Sequence, residues 1–185
     1  MIETKTLRFR VLATTISAIL EVAHLGWELT HGGVVSHHIL NMPEMPAISN
    51  WWGLLLLPAL TWFLTGRIQQ RLNLKLEDRK SFAKQAFAVL AGFLGSLVAA
   101  LLLSLAFTTG NEDMASYLLF GMIAIALIVP VYRAECLLGF VLGMTFTFGV
   151  VLPTIVGSII AAISAFMHKG VWRVVGRIWN RLKPA

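Results

Sequence analysis

Four ionisable residues recur at helical spacing inside an apolar segment near the start of the chain. They are Glu21, His24, Glu28 and His31, within the segment VLATTISAILEVAHLGWELTHG of residues 11–32. The intervals between them are three, four and three residues, so on a helix their side chains fall in one narrow stripe. Carboxylates and imidazoles at that spacing can relay protons, bind cations or ligate a metal.

A second pattern, with metal-binding chemistry, overlaps the end of this stripe. Three imidazoles and one carboxylate suit a divalent transition metal, either zinc, iron or copper, and the predicted ligands are Glu28, His31, His37 and His38. Such a protein would be either an enzyme that acts on a lipid-like substrate or a protein that handles metal. As a hydrolase it would use a metal-bound water, with Glu28 or Glu44 as the general base. The neighbouring Met42 and Met45 would shift the preference toward copper.

Two other functions fit the same residues. The stripe as a whole predicts a proton or ion path in a transporter or channel, formed by Glu21, His24, Glu28 and His31. Alternatively, the stripe pairs with the helix of a partner in a membrane assembly that carries out no catalysis. We place the metal site slightly ahead of the ion path, because a simple proton ladder does not need His37 and His38.

Composition indicates where such a stripe must lie. The chain has 185 residues, of which 57% are hydrophobic and 13% are charged, and its mean hydropathy is +0.78. Soluble domains contain about 25% charged residues, so the composition predicts an integral membrane protein. The net charge of +6 comes from cations beside apolar segments, which is typical of membrane topology and not of nucleic-acid binding. The single cysteine excludes an intrachain disulfide.

The apolar segments predict an all-α fold, a polytopic integral membrane helix bundle that forms one domain over residues 1–185. Its five to six transmembrane segments are expected at about 11–32, 51–66, 85–107, 115–132, 136–151 and 154–167. Pro58 should kink the second segment, and Ser49 and Asn50 are suited to cap its start. Ala91, Gly95 and Ala99 are spaced four residues apart, which predicts a close-packed face on the third segment.

The last apolar run is too long for one ordinary span and short for two. It covers residues 136–166, and we expect a short hairpin or broken helix that turns between Gly149 and Pro153. Residues 169–183 follow, with Arg173, Arg177 and Arg181 on one face and apolar residues on another. This pattern predicts an interfacial amphipathic helix on an anionic membrane surface.

Charge placement predicts the orientation. Six cations lie between Arg67 and Lys84, and such a cluster marks a cytoplasmic loop. The N-terminus and, by the hairpin, the C-terminus are then cytoplasmic as well, in a bacterial inner (plasma) membrane. The first helix would place His31 near the outer surface and Glu21 near mid-membrane. The expected partners are the lipid bilayer and a second copy of the chain through the first helix, with no nucleic acid.

Overall fold

The computed structural model describes residues 2–38, 44, 46–73, 79–174 and 177, and it confirms an all-helical fold. The described residues form six α-helices, α1 (Ile2–Thr30), α2 (Gly53–Asn73), α3 (Arg79–Thr108), α4 (Glu112–Ile128), α5 (Ala134–Phe148) and α6 (Val151–Phe166). Three helical stretches among the described residues are long and apolar enough to cross a membrane, namely Thr6–Thr30, Lys80–Thr108 and Val151–Val174. They are compatible with an integral membrane protein.

A short antiparallel ribbon interrupts the helical pattern between α1 and α2. Its strands are β1 (Ser36–His38) and β2 (Ala47–Ser49), with His37 opposite Ile48. A turn of 3-10 helix, Asn50–Trp52, then leads into α2. The Ser49 hydroxyl accepts a hydrogen bond from the Trp51 amide at 3.4 Å, so Ser49 caps this turn. The ribbon thus sits over the end of the bundle where α1 ends and α2 begins.

Helix α5 packs closely against α3 because two glycines remove side chains from its contact face. A Cβ atom at Gly139 would overlap the Phe93 carbonyl and the Ser96 hydroxyl, and one at Gly143 would lie 2.6 Å from the Ala100 methyl. The GxxxG spacing on α5 therefore forms the close-packed contact. These pairs advance together along both helices, so α3 and α5 run parallel.

The small residues of α3 that were predicted to form a close-packed face line a cavity instead. Ala91, Gly95 and Ala99 line an apolar cavity of about 330 Å³ between α3, α4, α5 and α6. A Cβ atom at Gly95 would meet nothing within 4 Å, so this side of α3 has no helix in close contact.

The long apolar run forms two helices, α5 and α6, which meet at Gly149 and Val150. Gly149 has φ +65°, a conformation that L side chains rarely adopt, and this allows the sharp reversal. The α6 residue Gly157 lies against Leu137 and Phe140 of α5, so the two helices are antiparallel. After α6 the backbone passes through a π-helical turn, Met167–Val171.

Part of the predicted amphipathic tail lies outside the described residues, which include 169–174 and 177 but none of 178–185. Within the described part, Trp172 turns back onto α4, because its indole Nε1 donates to the Leu127 carbonyl at 3.1 Å. The start of this segment is therefore attached to the bundle.

The two ends of the bundle differ in charge. The acidic groups of the loop-and-ribbon end are Glu28, Glu44, Glu112 and Asp113. The opposite end, where α2, α4 and α6 finish, carries cations that include Arg67, Arg71, Lys80, Lys84, Arg133 and Lys169. This asymmetry places the acidic end and the basic end on opposite sides of any membrane that the helices cross.

Candidate functional site

Three of the four stripe residues come together on the inner face of α1. Glu21 is fully buried and His24 is 3% exposed, and the Glu28 side chain is 10% exposed. The imidazole lies between the two carboxylates, with Nδ1 3.9 Å from Glu21 Oε2 and Nε2 3.5 Å from Glu28 Oε1. The helical spacing therefore produces a continuous row of titratable groups, which we call the Glu/His row (Glu21, His24 and Glu28).

Glu21 occupies a space that exists because residue 53 has no side chain. A Cβ atom at Gly53 would overlap the Glu21 carboxylate, and it would also lie 3.2 Å from a Val150 methyl. Glu21 is thus level with the first residue of α2 and with the turn between α5 and α6. The row lies at the acidic end of the bundle, farther from its middle than the sequence predicts.

Neither oxygen of the Glu21 carboxylate has a hydrogen-bond partner within the described part of the chain. A buried carboxylate without donors costs several kcal/mol if it is ionised, so the group requires a proton, a water molecule or a cation. The Nδ1 atom of His24 also lacks a partner among the described residues. The space between these two groups is where an exchangeable proton or ion would reside.

Both carboxylate oxygens of Glu28, in contrast, accept hydrogen bonds. Asn50 Nδ2 donates to Glu28 Oε1 at 2.6 Å, and the Val35 amide donates to Oε2 at 3.3 Å. The backbone N–H of Asn50 in turn donates to the Val35 carbonyl at 3.0 Å. These bonds tie the end of α1, the approach to β1 and the start of α2 to one carboxylate. Asn50, which we predicted as a helix cap, is therefore a component of the site that the sequence did not reveal.

Aromatic rings close the site on the side of α5. The ring centroids of His24 and Phe146 are 4.6 Å apart, and those of His37 and Phe148 are 6.0 Å apart. Burial lowers the pKa of His37 from its ordinary value, while the negative charge of Glu28 partly opposes that shift. His37 on the ribbon therefore faces the Glu/His row and favours the neutral form.

The other predicted metal ligands lie at exposed positions. His31 is exposed and stacks on Trp27 with ring centroids 3.7 Å apart, and its Nδ1 lies 2.9 Å from the Trp27 carbonyl. His38 and the predicted base Glu44 are exposed, whereas Met42 and Met45 lie outside the described residues. Over the described ranges no three His, Cys, Asp or Glu side chains are gathered in a form that could hold a metal ion. Metal binding stays a prediction.

The helical stripe extends farther toward the N-terminus than we predicted. Continuing backward from Glu21 at the same spacing gives Ser17, Thr14 and Arg10, and Ser17 is 4% exposed. Their spacing was visible in the sequence, but single hydroxyl residues in apolar helices commonly bond to their own backbone. They were therefore a weak signal.

A second buried charge lies at the basic end. Glu135, in the first turn of α5, is 1% exposed, and its Oε1 accepts a hydrogen bond from Arg71 Nη2 at 2.5 Å. With its amide oriented to present the oxygen, Gln85 of α3 accepts from Arg71 Nε at 2.7 Å. Arg71 thus joins α2, α3 and α5. The sequence signal was that Glu135 is the only acidic residue after Asp113.

Two polar elements therefore distinguish this bundle, the Glu/His row at one end and the Arg71–Glu135 pair at the other. Comparison of the chain with protein-family models, with curated proteins and with solved structures finds no match.

Proposed function

We propose that this chain is an integral membrane protein that moves protons or a small cation through the Glu/His row. The observation that carries the proposal is Glu21, a fully buried carboxylate whose oxygens have no partner within the described part of the chain. Ionisable groups inside membrane segments are costly and typically mark ion pathways. His24 lies between two carboxylates and can pass a proton from one to the other.

In this proposal five or six helices cross the bilayer, with the basic end in the cytoplasm of a bacterium. The cation-rich loop ends support that orientation, since positive charge is retained on the cytoplasmic side. The Glu/His row then opens toward the opposite side, beneath the ribbon. The outer face of α1 is apolar and exposed at Leu12, Ile16 and Ile19, which suits contact with lipid chains or with α1 of a second copy.

The test is proton flux into liposomes that contain the purified protein and a trapped pH dye. Glu21→Gln keeps the shape of the side chain but cannot ionise, so we expect the flux to fall at least about tenfold, as for loss of a group in direct proton transfer. Glu112→Gln, at an exposed acid on the same end of the bundle, is the matched control and should keep full flux. Equal flux from the wild type and Glu21→Gln would refute the proposal.

A metal-dependent activity is the second candidate, because His24 and Glu28 are adjacent donors; a metal ion would have to draw in His37 from the ribbon, since no three such side chains are gathered in the described ranges. His24 Nε2 and Glu28 Oε1 are 3.5 Å apart, and the charge of Glu28 acts on His37. Zinc, iron or copper would draw these donors to about 2.0–2.2 Å. Elemental analysis should then find stoichiometric metal that His37→Ala removes and His31→Ala retains. A metal-free wild type after incubation with each metal would exclude this candidate.

A further inference from the structure

Helices α1 and α2 pack antiparallel, and their register can be read from three contacts. Gly53 lies against Glu21, Gly66 lies against the Arg10 guanidinium, and Gln69 Nε2 donates to the Thr6 carbonyl at 2.6 Å. Residue numbers thus rise along α2 as they fall along α1.

Between these fixed points the same register gives the level of further residues on the two helices. Thr61 of α2 falls opposite Thr14, and Pro58 falls opposite Ser17. The α1–α2 seam (Arg10, Thr14, Ser17, Glu21, Pro58 and Thr61) therefore carries polar side chains at several levels between the buried site and the basic end.

Two hydroxyl groups of this seam are buried with nothing to bond to. Thr14 Oγ1 and Thr61 Oγ1 have no hydrogen-bond partner among the residues the structure describes, although both atoms are inaccessible to solvent. A threonine in an apolar helix ordinarily donates to its own backbone, as Thr65 does to the Thr61 carbonyl at 2.6 Å. Two hydroxyls at one level of the helix pair that both depart from this pattern indicate a polar ligand in the seam.

The neighbouring groups can bind that ligand as well. Pro58 has no N–H group, so the Leu54 carbonyl loses its usual donor within α2. By the register, Leu54 lies at the level of Glu21, whose two oxygens also lack partners within the described chain. A buried water needs two to four polar partners, and the seam supplies hydroxyl, carbonyl and carboxyl groups in succession.

Arg10 closes the far end of the seam. Its Nε donates to the Trp62 carbonyl at 2.7 Å, and its guanidinium carbon lies 3.9 Å from the centre of the Trp62 ring. The cation is partly exposed, so the seam reaches the surface of the bundle at Arg10.

We propose that the α1–α2 seam binds a file of water molecules between Glu21 and Arg10, held by Thr14 and Thr61, and that this file carries protons between the buried site and the basic end. The Ser17 hydroxyl donates to the Thr14 carbonyl at 2.9 Å, so it can take part as an acceptor. The second part rests on the proposed function, because it assigns the route by which Glu21 exchanges protons. A proton enters at one end of a hydrogen-bonded file and another leaves at the other end, so no atom is gained or lost.

The water file can be tested without any transport assay. Radiolysis of ¹⁸O-labelled water produces hydroxyl radicals next to bound water, and these should oxidise Leu57, which is 1% exposed, in the folded wild-type protein. The double variant Thr14→Val/Thr61→Val keeps side-chain shape but removes both hydroxyls, and should lower that oxidation at least fivefold. Leu103, which is 2% exposed in the α3 core, gives the background. Oxidation of Leu57 at the Leu103 level in the wild type would overturn the file.

Removal of a seam hydroxyl should change the unfolding temperature in opposite directions depending on whether the seam holds water. Replacing a buried hydroxyl that has no partner by a methyl group raises the unfolding temperature, whereas replacing one that binds water lowers it or leaves it unchanged. We expect Thr61→Val not to raise the unfolding temperature. A rise of several degrees would overturn the water file.

Proton flux then tests conduction separately. Thr14→Val/Thr61→Val should lose at least about 80% of the flux that depends on Glu21. Thr65→Val is the matched control, because Thr65 is equally buried on the same helix and donates to its own backbone, and it should retain full flux. Flux that depends on Glu21 but persists in the double variant would overturn conduction and leave the proposed function standing. No Glu21-dependent flux in the wild type would overturn the proposed function and conduction together, and the labelling would still decide the water file.

Discussion

Removal of the Arg71 charge should destabilise the bundle, because it leaves Glu135 buried without its counterion. The substitution is Arg71→Met, which preserves most of the aliphatic side chain. Glu135 is 1% exposed, and its Oε1 lies 2.5 Å from Arg71 Nη2. Its other oxygen has no partner among the described residues, so the guanidinium is the group that compensates its charge.

The magnitude follows from the geometry and burial of the pair. Two unit charges about 4 Å apart attract by about 4 kcal/mol at an effective dielectric constant near 20, and loss of one partner of a buried pair typically costs about 3–5 kcal/mol. The Arg71 side chain is 28% exposed, so we expect the lower part of this range, about 3 kcal/mol. For a chain of this size that corresponds to a fall in Tm of about 6–12 °C.

Cys136 provides the assay. It is the single cysteine of the chain and is 8% exposed, so a maleimide dye that fluoresces on reaction with thiols reports unfolding in detergent. Circular dichroism at 222 nm gives an independent curve that does not depend on access to the thiol. The matched control is Arg67→Met, one turn earlier on α2, where the exposed guanidinium lies 5.8 Å from the Phe63 ring centre. Its effect should be within about 0.5 kcal/mol.

A double variant completes the experiment. Arg71→Met/Glu135→Gln removes both charges and should recover more than half of the lost stability, because no buried carboxylate then remains without a counterion. A Tm for Arg71→Met within 2 °C of that for Arg67→Met would refute the reasoning. So would a double variant that unfolds as early as Arg71→Met alone.

Three further predictions concern single positions. Gly149→Ala should cost at least about 1–3 kcal/mol in unfolding free energy, since φ +65° is unfavourable for alanine and its Cβ would overlap Asn50 Oδ1. Thermal unfolding measures this. The control Gly95→Ala, inside α3, meets nothing within 4 Å and should not lower the stability. Gly143→Leu should separate α5 from α3 and lower Tm more than Gly149→Ala does, because even a Cβ atom at 143 would lie 2.6 Å from the Ala100 methyl and leucine is larger still. An equal or smaller fall in Tm would contradict the close packing of α5 on α3. Because the pKa of His37 is lowered in the folded ribbon, protonation of His37 favours the open ribbon. The protection of the ribbon amides from hydrogen exchange should therefore fall as pH drops below about 6.5 and stay constant above it. A fall of the same size in His37→Gln would show another cause.

The all-α fold and the inner face of α1 could be predicted because both depend on local periodicity. Glu21, His24 and Glu28 converge on one face simply because their spacing matches the helical repeat. The same rule fails for His31, because α1 ends at Thr30. Past that point the helical rule no longer fixes the direction of the ring, and it stacks on Trp27.

Contacts between distant parts of the chain could not be predicted in this way. Asn50 reaches Glu28 because the ribbon brings the chain back over the end of α1, and no local pattern encodes that fold-back. The pairing of Arg71 with Glu135 spans 64 residues. Both depend on which helices become neighbours, which the apolar pattern leaves open because the helices have similar lipid-like surfaces.

Because Glu21 and Gly53 are in contact, the residues that are tolerated at one of these positions depend on the residue at the other. The present position of the Glu21 carboxylate depends on glycine at 53, because a Cβ atom there would displace the carboxylate and would also lie 3.2 Å from a Val150 methyl. If position 21 became alanine, that volume would be released and position 53 would accept alanine or serine. In a library randomised at both positions and selected for folding, we therefore expect glycine at 53 to be retained with glutamate at 21, and larger residues at 53 to appear with small residues at 21. Such covariation would show that the carboxylate at position 21 limits which residues are tolerated at position 53.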